Sequence, residues 1–280
     1  MPANQTAGYI HGTSAREQQR LIDQAQELGA LLSANLDLHP GERLLEIGCG
    51  VGAVLAQIGG AHPDVQLCGI DISPEQIDAA HRHLRNQGMD DVELVVGDGA
   101  ALPWPSEHID RVRLVWVMEH LSNPVAVLKE ARRVLKPGGT IHITETDYAS
   151  LQLSPPDDAI QALLSAFICH FNRHGDAHAG PRLAPWLVQA GFSEVSNQMV
   201  GIHHWCPSQE ERVREFCSYL LQFISPELPA LLAKTPEPAK AALIRKGLEH
   251  FARLADRRDG AISLSVYQAR ALKPHQSTPS

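Results

Sequence analysis

The chain has 280 residues, of which 44% are hydrophobic, enough for one large α/β domain with an insert or for two modest domains. Its formal net charge of −8 opposes binding to nucleic acid, and no dense basic patch offsets it. Five scattered cysteines without a CxxC pair favour a reducing compartment, the cytoplasm. The first ten residues lack signal-peptide features and no uncharged apolar run approaches membrane-spanning length, so we expect no membrane insertion.

Helix and strand patterns alternate through the first half of the chain. Apolar residues at three-to-four spacing predict an amphipathic helix over 14–36, and Ser73 followed by Pro74 marks the start of another helix. The predicted strands are 43–47, 65–70, 92–96, 109–117 and 140–144, and the predicted helices between them are 51–59, 74–87 and 124–135. Strands separated by helices predict an α/β fold with a doubly wound, Rossmann-like sheet.

The second half of the chain is mostly helical in pattern. Helices are predicted at 156–174, 181–190, 208–224 and 238–256, and strand-like runs at 194–204 and 261–271. Four prolines between 225 and 240 predict a segment broken into short pieces. Together with the first half, these runs predict a seven-stranded, mostly parallel sheet with a helical lid or insert.

A glycine-rich turn follows the first predicted strand, in the sequence LLEIGCGVGA from Leu44 to Ala53. Gly48, Gly50 and Ala53 match the GxGxxA spacing of dinucleotide-binding folds, so a nicotinamide-dependent oxidoreductase is one interpretation. In such folds the pyrophosphate binds at the helix N-terminus, where neighbouring carboxylates would repel it. The acidic residues nearby therefore decide between the interpretations.

Three carboxylates come at the ends of predicted strands. Glu46 precedes the glycines, Asp71 ends the second strand, and Asp98 follows the third. Parallel strands open onto one crevice at their carboxyl ends, so these acids are expected to share one edge. That edge suits S-adenosylmethionine, which carries a sulfonium, an ammonium, ribose hydroxyls and an adenine amine. Asp71 is placed to bind the ribose hydroxyls, Asp98 the adenine amine, and Ile72 the adenine face.

Five motifs in order resemble the class I S-adenosylmethionine-dependent methyltransferases, in particular the small-molecule group that includes the ubiquinone/menaquinone-type enzymes. They are LLEIGCGVG at 44–52, GIDIS at 69–73, GDGAALPW at 97–104, VWVMEHL at 115–121 and LKPGG at 135–139. The resemblance covers about 40–147. It implies methyl transfer from S-adenosylmethionine to an oxygen, nitrogen or carbon atom of a natural product, quinone-like compound or other secondary metabolite.

The resemblance also implies which residues contact the cofactor. They are Glu46, Gly48, Cys49, Gly50, Asp71, Ile72, Asp98, Gly99, Val115 and Trp116. Gly99 stands where many relatives have alanine, a departure that we expect to matter little. The predicted parts are a lid and helix at 1–40, a cofactor-binding core at 41–148, a substrate-covering helical region with one strand at 149–260, a last strand at 261–273 and a disordered tail at 274–280.

The motif YIHGTS, which starts at Tyr9, resembles the lead-in of one subgroup of these enzymes, where it forms a lid over the cofactor. This resemblance implies that Tyr9 or His11 faces the sulfonium, as a catalytic residue, and that Arg20 approaches the methionine carboxylate. A second interpretation, compatible with the first, is that Thr13 or Ser14 is a helix N-cap and Glu17 completes a capping box.

A general base helps methyl transfer only when the acceptor carries a proton at the moment of attack. His120, next to Glu119 after the fourth strand, is the best-placed candidate, because histidine titrates near neutrality. Alternatively, either side chain hydrogen-bonds the lid or the following helix. Otherwise the protein has chiefly to align the acceptor and exclude water.

The acceptor pocket is expected after the fifth strand. Asp147 and Tyr148 end that strand, and Phe171 and His203 belong to the aromatic-rich region 150–225. These aromatic side chains either clamp a flat or apolar substrate or, at helical spacing, form a core.

Some interpretations remain open. The spacing of His170 and His174, with Cys169 and His178 near them, suggests a metal site. However, no acidic third ligand is positioned, so no metal site is predicted. A catalytically silent S-adenosylmethionine-binding regulatory module is an alternative to an enzyme. The sequence leaves the oligomeric state open, a homodimer included.

Overall fold

Seven strands form one sheet in the computed structural model, which describes residues 14–33 and 36–275. The strands are β1 (Arg43–Ile47), β2 (Gln66–Asp71), β3 (Glu93–Val96), β4 (Ile109–Val115), β5 (Leu135–Ser154), β6 (Ser193–Trp205) and β7 (Ala261–Leu272). Their order is β3-β2-β1-β4-β5-β7-β6, and the pairs β1-β2, β1-β4, β2-β3 and β4-β5 are parallel. The predicted Rossmann-like, mostly parallel sheet is confirmed. Tyr9, His11 and the tail residues 276–280 lie outside the described residues.

Nine α-helices occur within the described ranges. They are α1 (Ala15–Glu27), α2 (Gly29–Ser33), α3 (Ala53–Ala61), α4 (Pro74–Asn86), α5 (Pro124–Val134), α6 (Asp158–Phe171), α7 (Ala179–Gln189), α8 (Glu210–Ala233) and α9 (Pro238–Ala252). The Ser73 hydroxyl accepts a hydrogen bond from the Gln76 amide at 3.2 Å, which confirms the predicted cap of α4. The single helix predicted over 14–36 is instead two, divided before Gly29.

Two predicted boundaries were wrong. β5 has 20 residues, because the Lys136–Gly139 segment stays in the strand as a bulge instead of a separate turn: Leu135 pairs with Ile109, but Thr140 pairs with Arg111. α8 runs through Pro226 and Pro229, where short pieces were expected. Its buried side chains on either side of the prolines pack in a common core, and this packing outweighs the low helix propensity of proline.

The described chain divides into two compact units. The sheet unit contains residues 14–33, 36–145, 180–198 and 267–275, and the helical unit contains 146–179 and 199–266. The sheet unit has its largest core between the central strands and α5, with fully buried Leu45, Val112 and Ile141. The helical unit has its own core, in which aromatic side chains of α6 and α8 pack together.

Helix α8 is long and apolar. Of the helices within the described ranges, it is the one that has the length and composition to cross a membrane, with a mean hydropathy of 1.2. However, its side chains Val213, Leu220 and Ile224 are completely buried in the core of the helical unit. About one third of the apolar stretch of α8 is buried in this way (33%).

Candidate active site

The glycine turn after β1 is fixed against β2. The amides of Gly48 and Cys49 donate to the Ile70 carbonyl at 2.8 and 3.1 Å. Gly48 has a φ of 72°, and a Cβ there would lie 2.4 Å from Cγ2 of Val117. Because both the left-handed conformation and the close approach exclude a side chain, this position requires glycine. The turn therefore presents bare backbone at the carboxyl end of the sheet.

Asp71, at the end of β2, is bonded to the same turn. Its Oδ2 accepts a hydrogen bond from the Gly50 amide and its Oδ1 one from the Ser73 amide, each at 2.9 Å. Burial raises the pKa of Asp71, and these amide hydrogen bonds partly offset the effect. Since each carboxylate oxygen can accept more than one hydrogen bond, both remain able to bind a ligand hydroxyl.

Glu46 is buried beneath the turn, with 2% of its surface exposed. Burial raises its pKa to about 8; the opposite charge of Arg113, its partner in the β1-β4 register, lowers this pKa, and Asp71 raises it. No hydrogen-bond donor among residues 14–33 and 36–275 reaches Glu46 Oε2. An unsatisfied buried carboxyl oxygen is costly, so this position fits a donor supplied by a ligand.

Asp98 lies at the same edge. The amide of Gly97 donates to the Asp71 carbonyl at 2.9 Å, and Asp98 Oδ1 accepts from the Ala100 amide at 2.8 Å. Ile72, predicted to contact an adenine, exposes 52% of its surface beside Asp71. The structure thus brings the three sequence-predicted acids and an exposed apolar side chain to one edge of the sheet.

Gly99, where many relatives have alanine, is closely packed in this structure. A Cβ at Gly99 would lie 2.8 Å from Cγ2 of Ile47, which is buried. The loop after β3 therefore packs directly on the end of β1, and an alanine there would require one of the two to move.

Helix α1 packs over this edge. Leu21 approaches within 3.5 Å of the Cβ position of Gly50, and α1 shares a buried cluster with Val115 and Trp116. Trp116 has a φ of 51°, unusual for a bulky residue, and its amide donates to the Thr144 carbonyl at 3.0 Å. Strain of this kind is concentrated at functional sites.

Arg20 lies on α1, where it is buried and pairs with Glu17 at 2.6 and 2.8 Å. Gln24 Oε1 accepts from a third nitrogen of Arg20 at 3.2 Å. A ligand carboxylate would therefore have to share Arg20 with Glu17. The Ser14 hydroxyl accepts from the Glu17 amide at 3.2 Å, as the N-cap interpretation predicted, while the Glu17 side chain reaches forward to Arg20.

His120 follows β4 on the short 3₁₀ turn Met118–His120, where its Nε2 lies 3.4 Å from Oε1 of the buried Glu119. Sequence analysis missed the residue that holds this turn, Glu145 on β5. Its Oε1 accepts from the amides of Val117 and Met118 at 2.8 and 2.6 Å. Burial raises the pKa of Glu145 to about 8.

One of the buried charges carried a signal. Arg113 lies between the apolar residues Val112 and Leu114 in β4 and is buried in the structure, whereas Glu145 lies between two threonines. A charge in such a run is costly unless it is paired, so it indicates a partner or a role. Arg113 is the partner of Glu46 in the β1-β4 register, where its charge lowers the pKa of Glu46, and it donates to the Leu32 carbonyl.

The residues expected to bind the acceptor lie in the helical unit. Asp147 Oδ1 is 3.2 Å from Nδ1 of His178. Tyr148 and Phe171 are buried with ring centroids 5.2 Å apart, and His203 stacks on Trp205 at 5.7 Å. The rings of Phe167, Phe171 and Phe223 are also buried, so for these the core interpretation holds.

His170, one of the two histidines that suggested a metal site, contacts other side chains. His170 Nε2 lies 2.9 Å from Glu227, and its Nδ1 lies 3.5 Å from Lys234 Nζ. Within the described ranges, no three His, Cys, Asp or Glu side chains are grouped to hold a metal ion.

This edge discriminates between ligands by the groups that they offer. A pyrophosphate would meet the carboxyl groups of Asp71 and Asp98 and has no donor for them, whereas a ligand with an ammonium, hydroxyl groups and an exocyclic amine offers donors to these two and to Glu46. The unsatisfied Glu46 oxygen and the bare glycine turn fit S-adenosylmethionine in this respect.

Comparison with known proteins gives methyltransferases. Residues 45–143 match the family model described as methyltransferase domain. An uncharacterized methyltransferase of Schizosaccharomyces pombe is 30% identical over 212 residues, covering 73% of this chain and 74% of that protein. The 27-O-demethylrifamycin SV methyltransferase of Amycolatopsis mediterranei is 34% identical over 135 residues, 47% of this chain and 48% of that protein.

The fold is also found among solved structures. The crystal structure of a Bacillus halodurans protein named as a methyltransferase superposes with a TM-score of 0.59 at 19% identity, covering 88% of this chain and 98% of that one. The chain spans about half the length of several curated relatives that it matches, for example 51% and 45%.

Proposed function

The chain belongs to the class I S-adenosylmethionine-dependent methyltransferases, and from this we propose that it transfers the methyl group of S-adenosylmethionine to a small-molecule acceptor by in-line displacement. The observation that carries the proposal is the buried Glu46 carboxyl, whose Oε2 lacks a donor from the described residues, beside Asp71 on the glycine turn. A donor-rich cationic ligand satisfies both groups.

The proposed cofactor contacts follow from the positions of the acids. Asp71 would accept from the ribose hydroxyls, Asp98 from the adenine amine and Glu46 from the ammonium, while Ile72 packs on the adenine. Further contacts are proposed for the glycine turn and for the strained segment after β4. These are Gly48, Cys49, Gly50, Gly99, Val115 and Trp116, with Arg20 on α1. When bound, S-adenosylmethionine supplies a methyl group on a positively charged sulfur.

The chain's own contribution is alignment, exclusion of water and, for a protonated acceptor, removal of a proton. Alignment can contribute about 7 to 11 kcal/mol. We propose His120 as the base, because Glu119 orients its imidazole at 3.4 Å and Glu145 fixes the turn that carries both residues. Tyr9 and His11 remain proposed catalytic residues of the lid.

For the acceptor, we propose a natural product, quinone-like compound or other secondary metabolite, methylated on oxygen, nitrogen or carbon. Relatives named for methylation of a rifamycin, a sterol and an alkaloid support a small molecule. Asp147, Tyr148 and His203 are proposed to bind it, whereas Phe171 belongs to the core of the helical unit. The five free cysteines support a cytoplasmic location. The net charge of −8 argues against nucleic acid as a partner.

Asp71→Ala should weaken binding of S-adenosylmethionine about 10- to 150-fold, because the ribose loses charge-assisted hydrogen bonds worth about 1.5 to 3 kcal/mol. Isothermal titration calorimetry measures the change, with Asp78→Ala on the exposed face of α4 as the matched control. If Asp71→Ala binds S-adenosylmethionine as tightly as the wild type, Asp71 does not bind the ribose. Binding of NAD in preference to S-adenosylmethionine would instead favour the oxidoreductase alternative.

His120→Ala should lower turnover about 10²- to 10⁴-fold for an acceptor that must lose a proton, while leaving cofactor affinity nearly unchanged. Turnover of a methyl-labelled cofactor with an acceptor library measures the first quantity, and calorimetry the second. His81→Ala, a change at an exposed histidine of α4, is the control. Equal turnover in His120→Ala excludes the base, and cofactor binding without product from any acceptor supports the silent module.

A further inference from the structure

A cavity of about 380 Å³ lies within the helical unit, between α6, the end of α8 and the start of α9. The small side chains of Ala162 and Ala166, with Leu231, give it an apolar lining. Ser165 and Cys169 line it from the same helix as the two alanines. The proposed methyl transfer uses none of these residues.

The charged residues of the cavity all have the same sign. Arg173, Lys234 and Lys240 line it and are exposed, and its described lining contains no aspartate or glutamate. None of the three pairs with a carboxylate of residues 14–33 or 36–275 within 4.0 Å. The described lining of this cavity therefore has three basic and no acidic side chains, in a chain with a net charge of −8.

Lys234 contacts the imidazole of His170. Its Nζ lies 3.5 Å from Nδ1 of the buried His170, and because an ammonium only donates, Nδ1 must accept. The proton of the neutral ring is then on Nε2, which donates to Glu227 at 2.9 Å. This chain of contacts orients the lysine at the cavity wall, so that less rotamer freedom is lost when it binds a ligand.

We propose that this cavity binds a small organic anion, with a carboxylate or phosphate head at Arg173, Lys234 and Lys240 and a short apolar body against Ala162 and Ala166. Its volume is within the range of small-molecule sites, about 300 to 1,000 Å³. An arginine and two lysines supply charge-assisted hydrogen bonds to such a head group. The proposal does not depend on methyl transfer.

Cys169 makes the potential of the cavity measurable without a ligand. It is exposed, whereas Cys49, Cys68, Cys206 and Cys217 are buried. The experiment alkylates the full chain with anionic iodoacetate or neutral iodoacetamide and follows the Cys169 peptide by mass spectrometry. The rate constant for iodoacetate divided by that for iodoacetamide should be several-fold higher for Cys169 than for N-acetylcysteine amide. In about 0.5 M NaCl this ratio should fall towards the ratio of N-acetylcysteine amide.

The variants are matched on one helix. Lys240→Gln should lower the ratio, while Lys246→Gln, an exposed lysine of α9 outside the cavity, should leave it unchanged. Lys234→Gln should lower it as well, and Arg173→Gln serves as a further variant if either fails to fold. A wild-type ratio equal to that of the free thiol, or one that all of these variants leave unchanged, overturns the proposal.

Protection experiments then identify the head group. Benzoate, phenyl phosphate and neutral benzyl alcohol share an aromatic body, and each is added before iodoacetamide. Slower labelling of Cys169 with benzoate indicates a carboxylate ligand, and with phenyl phosphate a phosphate ligand. Equal protection by benzyl alcohol, or none by either anion at millimolar concentration, contradicts an anion site.

Discussion

Raising the pH from 6.5 to 8 is expected to destabilise the cofactor-free protein by about 2 to 3 kcal/mol. Burial raises the pKa of Glu46 and of Glu145 to about 8 from an ordinary 4.5. Between these values the folded chain binds protons that the unfolded chain has released. Stability from each carboxyl is therefore complete below pH 4.5 and lost as pH rises through 8, at up to about 1.4 kcal/mol per pH unit.

The window begins at pH 6.5 because of His142. Burial lowers the pKa of this histidine to about 3, so its contribution has the opposite sign, is largest below the ordinary 6.5 and fades within about one pH unit above it. Urea unfolding at pH 6.5, 7.25 and 8 measures the slope, and Glu46→Gln and Glu145→Gln should each reduce it. Glu249→Gln, at an exposed position of α9, is the control. Equal free energies of unfolding across this window would contradict the assignment.

Gly48→Ala is expected to destabilise the protein by about 2 to 6 kcal/mol and to abolish measurable cofactor binding. The left-handed backbone accounts for about 1 to 3 kcal/mol, and the contact with Val117 adds an overpacking cost of about 1 to 3 kcal/mol. Thermal or urea unfolding measures the first effect, and calorimetry with S-adenosylmethionine the second.

Two further variants separate the causes. Gly60→Ala, in α3 with no atom within 4 Å of the added Cβ, should be neutral or stabilising by about 0.5 kcal/mol. Adding Val117→Ala to Gly48→Ala should recover the share of the lost free energy of unfolding that comes from overpacking. It should not recover the share that comes from the left-handed backbone at position 48. A Gly48→Ala protein as stable as wild type would show that the turn is free to adopt another conformation.

The parallel half of the sheet could be predicted because its signals are local. The strand, glycine turn and helix around Gly48 follow one another directly, and Ser73 with Pro74 fixed the start of α4 to the residue. β5 was underestimated because Gly138 and Gly139 are typical of a turn, whereas the strand accommodates them as a bulge. Such a bulge depends on the neighbouring strand, which no local pattern reveals.

The acidic residues at the edge of the candidate site could be predicted from the sequence, whereas the buried residues that hold this edge in place could not. Asp71 and Asp98 follow strand ends, a pattern visible in the sequence, and the fold brings them together. Glu145 acts on a turn 27 residues earlier, through backbone amides that have no sequence signature. The pairing of Arg113 with Glu46 likewise depends on the register between β1 and β4.

The high pKa of Glu46 has a consequence for how the cofactor associates. Near neutral pH this carboxyl is protonated in the free protein, whereas an adjacent ammonium favours its ionised form. Association is then coupled to release of a proton to the solvent. The observed enthalpy should vary with the ionisation enthalpy of the buffer, being different in Tris and in phosphate, and Glu46→Gln should remove that dependence.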